Sequence, residues 1–164
     1  MAQANSGGLS PVRKAAPLDL APVVLIADNE CPLLELFRDV LEQDHFRVLT
    51  AADGQEALAL AETRTPDVLV TDVAMPRLDG FSLVRAVRRL YPGMPVIVIS
   101  GDDCYAGRPV KDVAAELGAV ATLMKPFDLT VLPQLVRSVV PLVDTALYDR
   151  DPRNALGARS VNTI

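Results

Sequence analysis

Between Val23 and Val139 the chain alternates between two kinds of apolar segment. Five short runs, VVLIA (23–27), RVLTA (47–51), VLVTD (68–72), VIVIS (96–100) and VATLM (120–124), are rich in β-branched residues. Most lack polar alternation, which is the pattern of strands covered on both faces. The longer stretches between them repeat apolar positions at helical spacing: Leu34, Phe37 and Leu41 in the first, Phe81, Val84 and Val87 in the third. Such positions lie on one side of a helix, so each stretch predicts a helix with one apolar stripe.

Boundary residues agree with these elements. Pro32 suits a first helical turn, where its missing N–H costs nothing. Asp53 followed by Glu56 has the form of a capping box opening GQEALALAE. Gly118 can end the fourth helix in the left-handed conformation. The last helix starts near Thr130, tolerates Pro133 in its first turn and meets Pro141 near its end. Strand and helix thus alternate five times, which predicts an α/β fold: a parallel sheet with helices on both faces. In such sheets ligands bind outside the carboxyl ends of the strands, where strand order reverses.

Composition narrows the partners. The chain has 164 residues, half of them hydrophobic, with no Trp and 4% aromatic residues, so one domain with an aliphatic core is expected. A formal charge of −5 without a basic patch argues against nucleic acid and against an anionic membrane. Arg85, Arg88 and Arg89 are expected on the solvated side of one helix. Two cysteines, Cys31 and Cys104, without metal-ligand spacing suit a reduced, cytoplasmic compartment, and no apolar stretch has the length of a signal peptide or membrane span. Residues 1–21 are expected to be a flexible arm, 22–143 the folded domain and 144–164 a polar, disordered tail.

Candidate chemistry gathers at one rim of the expected sheet. The first strand ends in Asp28 and Asn29, the third in Asp72, the fourth in Ser100, and the fifth runs into Lys125-Pro126. Taken singly, these residues read as helix caps, turn formers and a solvated lysine. Together, at the carboxyl ends of four strands, they read as a site.

Asp28, DVAMPRLDG from Asp72, Ser100-Gly101 and KPF at Lys125 resemble the receiver domain of two-component response regulators over roughly residues 22–140. The resemblance implies a doubly wound, flavodoxin-like five-stranded sheet in the order 2-1-3-4-5, whose crevice lies between the first and third strands. It implies that Asp72 is the phosphoacceptor, charged by a histidine kinase or histidine phosphotransfer protein. Mg²⁺ would be held by Asp28, Asn29, Asp72 and the backbone carbonyl of Ala74, while Lys125 and Ser100 would contact the phosphoryl oxygens. The implied protein is not an enzyme in the ordinary sense. It signals through the face made by the fourth helix, fifth strand and fifth helix, as a monomer or weak homodimer. In the family the peptide bond before the proline matching Pro126 is often cis.

Three departures from the family pattern stand out. Asn29 occupies a position usually held by a second, metal-binding acid, which predicts weak Mg²⁺ binding unless Glu30 substitutes. Thr122 stands where the fifth strand usually carries an aromatic switch residue. SGDDCYAGRPVKDVAAELGA makes the fourth strand–helix connection unusually long, and it is expected to form a distinctive recognition surface. The stretch after Pro126 leaves no room for a winged-helix effector, so a stand-alone receiver is expected. The alternative is a pseudo-receiver, an interaction module without efficient phosphorylation. An enzyme of flavodoxin-like fold is disfavoured, because no glycine-rich phosphate loop follows the first strand.

Overall fold

The computed structural model describes residues 21–140. In chain order the elements are β1 (Val23–Ala27), α1 (Cys31–Gln43), β2 (Arg47–Ala51), α2 (Gly54–Arg64), β3 (Val68–Asp72), α3 (Gly80–Leu90), β4 (Val96–Ser100), β5 (Cys104–Tyr105), β6 (Arg108–Pro109), α4 (Val110–Glu116), β7 (Ala121–Met124) and α5 (Val131–Val139). Five strands form one parallel sheet in the order β2-β1-β3-β4-β7, which is the expected 2-1-3-4-5 order with β7 as its fifth strand. Four strands have the bounds read from the sequence, and β7 begins one residue later. The expected arm and tail, and the approach to Pro141, lie outside the described residues.

The pleat divides each strand between two apolar layers. Leu25, Ala27, Leu69, Val96 and Val98 pack with Ala57, Ala61, Phe81, Val84, Val87, Val113 and Ala114, so α2, α3 and α4 cover one face. Val24, Ile26, Val68, Val70, Ile97 and Ile99 pack with Leu34, Phe37, Leu41, Leu132 and Val136 beneath α1 and α5. Strands covered on both sides need apolar residues at every position, which explains the unbroken runs in the sequence.

Local signals act much as their chemistry suggests. Pro32 lies in the first turn of α1. Asp53 Oδ1 accepts from the amides of Gln55 and Glu56, while the returning bond of the capping box goes from Ala52 N–H to Glu56, one residue before the cap. Gly118 takes φ +74°, and the amides of Gly118 and Ala119 bond to the carbonyls of Ala115 and Ala114, a Schellman ending for α4.

Two features depart from or refine the expectations. Arg88 is not a solvated companion of Arg85 and Arg89. Its guanidinium donates to the carbonyls of Leu117 (3.3 Å), Pro92 (3.0 Å), Met94 and Gly118 (2.6 Å), joining the end of α3 to the end of α4 and the entry to β4. The long fourth connection folds into an antiparallel ribbon, β5 with β6, turned by Ala106 (φ +49°) and Gly107 (φ +77°). Two successive positive φ values suit a tight hairpin turn, and Gly at the second tolerates this without strain.

Candidate functional site

Register places the acidic residues. β1 and β3 are neighbours, with Ala27 opposite Thr71, so the next residues of the two strands, Asp28 and Asp72, leave the sheet side by side at the strand-order reversal. β4 and β7 are neighbours as well, with Ser100 opposite Met124, and Lys125 N–H donates to the Ser100 carbonyl at 2.8 Å. The Lys125-Pro126 peptide is cis.

Lys125 closes the cluster. Its Nζ lies 2.8 Å from Asp28 Oδ2, 2.9 Å from Asp72 Oδ1 and 3.1 Å from Glu30 Oε1. The free oxygens are also engaged: Asp28 Oδ1 accepts from Glu30 N–H at 2.9 Å, and Asp72 Oδ2 from Ala74 N–H at 2.7 Å. Asp28 is 1% exposed and Asp72 4%, whereas Glu30 reaches in from the surface. Burial pushes the Asp72 carboxyl above its ordinary range, since the hydrogen bond and charge of Lys125 pull it down less strongly and the charge of Asp28 adds to the rise. Burial alone would lower the Lys125 ammonium. Its bonds to Asp28 and Asp72 and their charges outweigh that, so it is shifted upward. One ammonium shared by two buried carboxylates cannot fully compensate both.

The remaining expected residues surround this cluster. Asn29 is exposed and, with Val73, Ala74, Met75 and Asp79, lines a groove of about 520 Å³ that runs from the site to the β5–β6 ribbon. Ser100 is buried at 2% exposure, but its hydroxyl turns along its own loop: it donates to the Asp102 carbonyl at 2.8 Å and accepts from Asp102 N–H at 3.1 Å. Thr122 is half-buried on β7 opposite Val98.

Four contributors, Gly80, Asp79, Tyr105 and Arg77, escaped the sequence reading. Gly80, the first residue of α3, donates its N–H to the Val73 carbonyl, and a Cβ there would meet the Asp72 carbonyl. Asp79 caps α3 by accepting from Ser82 N–H, and Tyr105 of the ribbon donates its hydroxyl to the same Asp79 oxygen at 3.2 Å. Arg77 forms an ion pair with the buried Asp53, tying the β3–α3 loop to the start of α2. The Asp-Gly pair at 79–80 was the available signal for the first two; nothing local marks the others.

Residues 24–137 match the family model described as the response regulator receiver domain. The chain belongs to that family. The receiver is 39% identical over 127 residues to the transcriptional regulatory protein PrrA of Mycobacterium tuberculosis, covering 75% of this chain and 50% of PrrA. It is 30% identical over 131 residues to the alkaline phosphatase synthesis transcriptional regulatory protein PhoP of Bacillus subtilis, covering 80% of this chain and 53% of PhoP. The chain thus spans about half the length of these curated relatives. Among solved structures, the chemotaxis protein CheY4 of Vibrio cholerae superposes with a TM-score of 0.66 at 31% identity, covering 73% of this chain and 99% of CheY4. Receivers are signalling domains of two-component phosphorelays, not an enzyme family, and generally bind Mg²⁺ at their acidic pocket.

The donor chemistry of this receiver fits such an ion. Mg²⁺ prefers oxygen, accepts one or two carboxylates and retains several waters. Asp28 and Asp72 supply two carboxylates around one point, and the Asn29 amide and Ala74 carbonyl belong to residues on the same groove. Among the described residues no group of three or more His, Cys, Asp or Glu is arranged to hold a metal. Also among the described residues, no helix is long and apolar enough to cross a membrane.

Proposed function

We propose that the chain acts as a response regulator, with the receiver over residues 22–143, taking a phosphoryl group onto Asp72 from a histidine kinase or histidine phosphotransfer protein. The observation that carries this reading is the Lys125 ammonium held between the buried carboxylates of Asp28 and Asp72 at the mouth of the β1–β3 crevice. An Asp72 oxygen attacks the phosphorus of a phosphohistidine, the P–N bond breaks, and the imidazole leaves with the bonding pair, giving an acyl phosphate on Asp72. Lys125 offers a mobile positive charge to the arriving phosphoryl oxygens, and Ser100 offers its hydroxyl proton. Asp28, Asp72, the Asn29 side-chain oxygen and the Ala74 carbonyl would hold Mg²⁺, which would supply positive charge to the transferring group. Ala74 N–H orients Asp72 through its bond to Oδ2. Output is a phosphorylation-dependent protein contact in the cytoplasm, made by the α4–β7–α5 face as a monomer or weak homodimer, without nucleic acid or membrane.

The test is incubation of the full chain with acetyl phosphate and Mg²⁺, read by intact mass. A gain of one phosphoryl group is expected, and Asp72→Asn should abolish it. Undiminished labelling of that variant would sink the assignment.

Asn29 favours a second reading, a pseudo-receiver that binds its partner without efficient phosphorylation, because the side chain next to Asp28 is an uncharged amide and the third carboxylate at Lys125, that of Glu30, is exposed. A chain that gains no mass at any Mg²⁺ concentration, yet keeps its fold, belongs to that class.

A further inference from the structure

The β5–β6 ribbon is tied to the site at two points that the proposed phosphotransfer does not use together. At one end, Ser100 both donates to and accepts from Asp102, and the next residue, Asp103, accepts the amide of Val110, where α4 begins. At the other end, Tyr105 donates its hydroxyl to Asp79 Oδ1, and its ring stands edge-on to Phe81 with centroids 4.8 Å apart. Asp79 and Phe81 flank Gly80, whose amide bonds to the Val73 carbonyl beside Asp72. Burial and the facing Asp79 carboxylate both shift the Tyr105 phenol upward, which keeps it a donor at neutral pH. The aromatic that this chain lacks at Thr122 thus has a counterpart on a different element.

From this arrangement we infer that Tyr105 is the residue that reads the state of Ser100, so that the ribbon, rather than β7, carries the phosphorylation signal to the start of α4. The inference rests on Asp72 being the phosphoacceptor. Ser100 has one hydroxyl proton, which its bond to the Asp102 carbonyl uses. When the hydroxyl donates to a phosphoryl oxygen on Asp72, the Asp102 carbonyl loses that donor and the turn through Gly101 loosens. The ribbon then shifts against α3, Tyr105 leaves its seat on Asp79 and Phe81, and the Asp103–Val110 bond passes the change to α4. The two arrangements are discrete because a single proton serves either acceptor.

Amide hydrogen exchange on the full chain, with and without acetyl phosphate and Mg²⁺, tests the device, with Asp72 occupancy read by intact mass in the same samples. Phosphorylation should speed exchange across residues 101–110 by about threefold to tenfold, the effect of one lost hydrogen bond, and leave residues 121–124 unchanged. Ser100→Ala should loosen 101–110 without any phosphodonor. Tyr105→Phe should speed exchange there before phosphorylation and shrink the further change that phosphorylation brings. Full occupancy of Asp72 with 101–110 unchanged, or with the change confined to 121–124, overturns the role of Tyr105 and leaves Asp72 as the acceptor. No gain of mass overturns both.

Discussion

The α-carbon of Gly80 faces the backbone carbonyl of Asp72 so closely that a Cβ built on it would stand 2.0 Å from that oxygen. Helix α3 therefore begins directly against the backbone of the residue proposed to carry the phosphoryl group. Gly80→Ala should destabilise the fold by about 1–3 kcal/mol, as overpacking does, and should slow phosphorylation by moving Asp72. Gly54 provides the control, since its Cβ would meet the Leu78 carbonyl at 2.1 Å, farther along the same loop. Gly54→Ala should cost similar stability in urea unfolding with a smaller effect on the labelling rate. Equal rates for Gly80→Ala and the parent chain would mean that Asp72 accommodates the shift.

Asn29→Asp should tighten Mg²⁺ binding. A unit charge at about 4 Å in an effective dielectric of about 20 is worth roughly 4 kcal/mol, of which desolvation leaves about 1–3 kcal/mol. That is on the order of tenfold to hundredfold in affinity. The added repulsion with Asp28 and Asp72 should lower stability when metal is removed. Mg²⁺ titrations of both chains, followed by a probe at the site, give the comparison; equal affinities would place Asn29 away from the ion or give its role to Glu30.

Arg88→Ala should cost about 1–2 kcal/mol, because a guanidinium that serves four backbone carbonyls at the junction of α3, α4 and β4 is lost. Arg89→Ala, one residue on and exposed, should change the urea midpoint little. Arg88→Lys should recover only part of the loss, since an ammonium lacks the planar fork.

Asp79 predicts a pH effect. Burial opposes ionisation of its carboxyl, but the hydrogen bonds from Ser82 and Tyr105 outweigh it and hold the group below its ordinary value of 3.8. A carboxyl depressed in the folded state stabilises above its unfolded value, and that contribution disappears as pH falls through the folded value. The stability difference between the parent chain and Asp79→Asn should thus be constant near neutrality and shrink below about pH 4. Urea unfolding at a series of pH values reads it directly; a gap that persists under acid would assign the effect to the shape of the helix cap rather than its charge.

Much of the architecture was legible in local chemistry. Apolar runs without alternation are covered by packing on both faces, so VVLIA, VLVTD and VIVIS announce a parallel sheet, and Pro32, Asp53 and Gly118 mark helix ends through chemistry confined to a few residues. Asp28, Asp72, Ser100 and Lys125 stood out because strand ends in such a sheet must share one rim. Other features depend on distances through space, which no short stretch encodes. Arg88 looked like its solvated neighbours until carbonyls about thirty residues away were brought to it. The Ser100 hydroxyl is aimed by a turn whose path depends on the ribbon beyond it, and Tyr105 reaches Asp79 across 26 positions of sequence. Periodicity and caps report how a segment folds on itself. Which polar group meets which is decided only when the sheet and its helices close, because each such bond needs both partners delivered by separate elements.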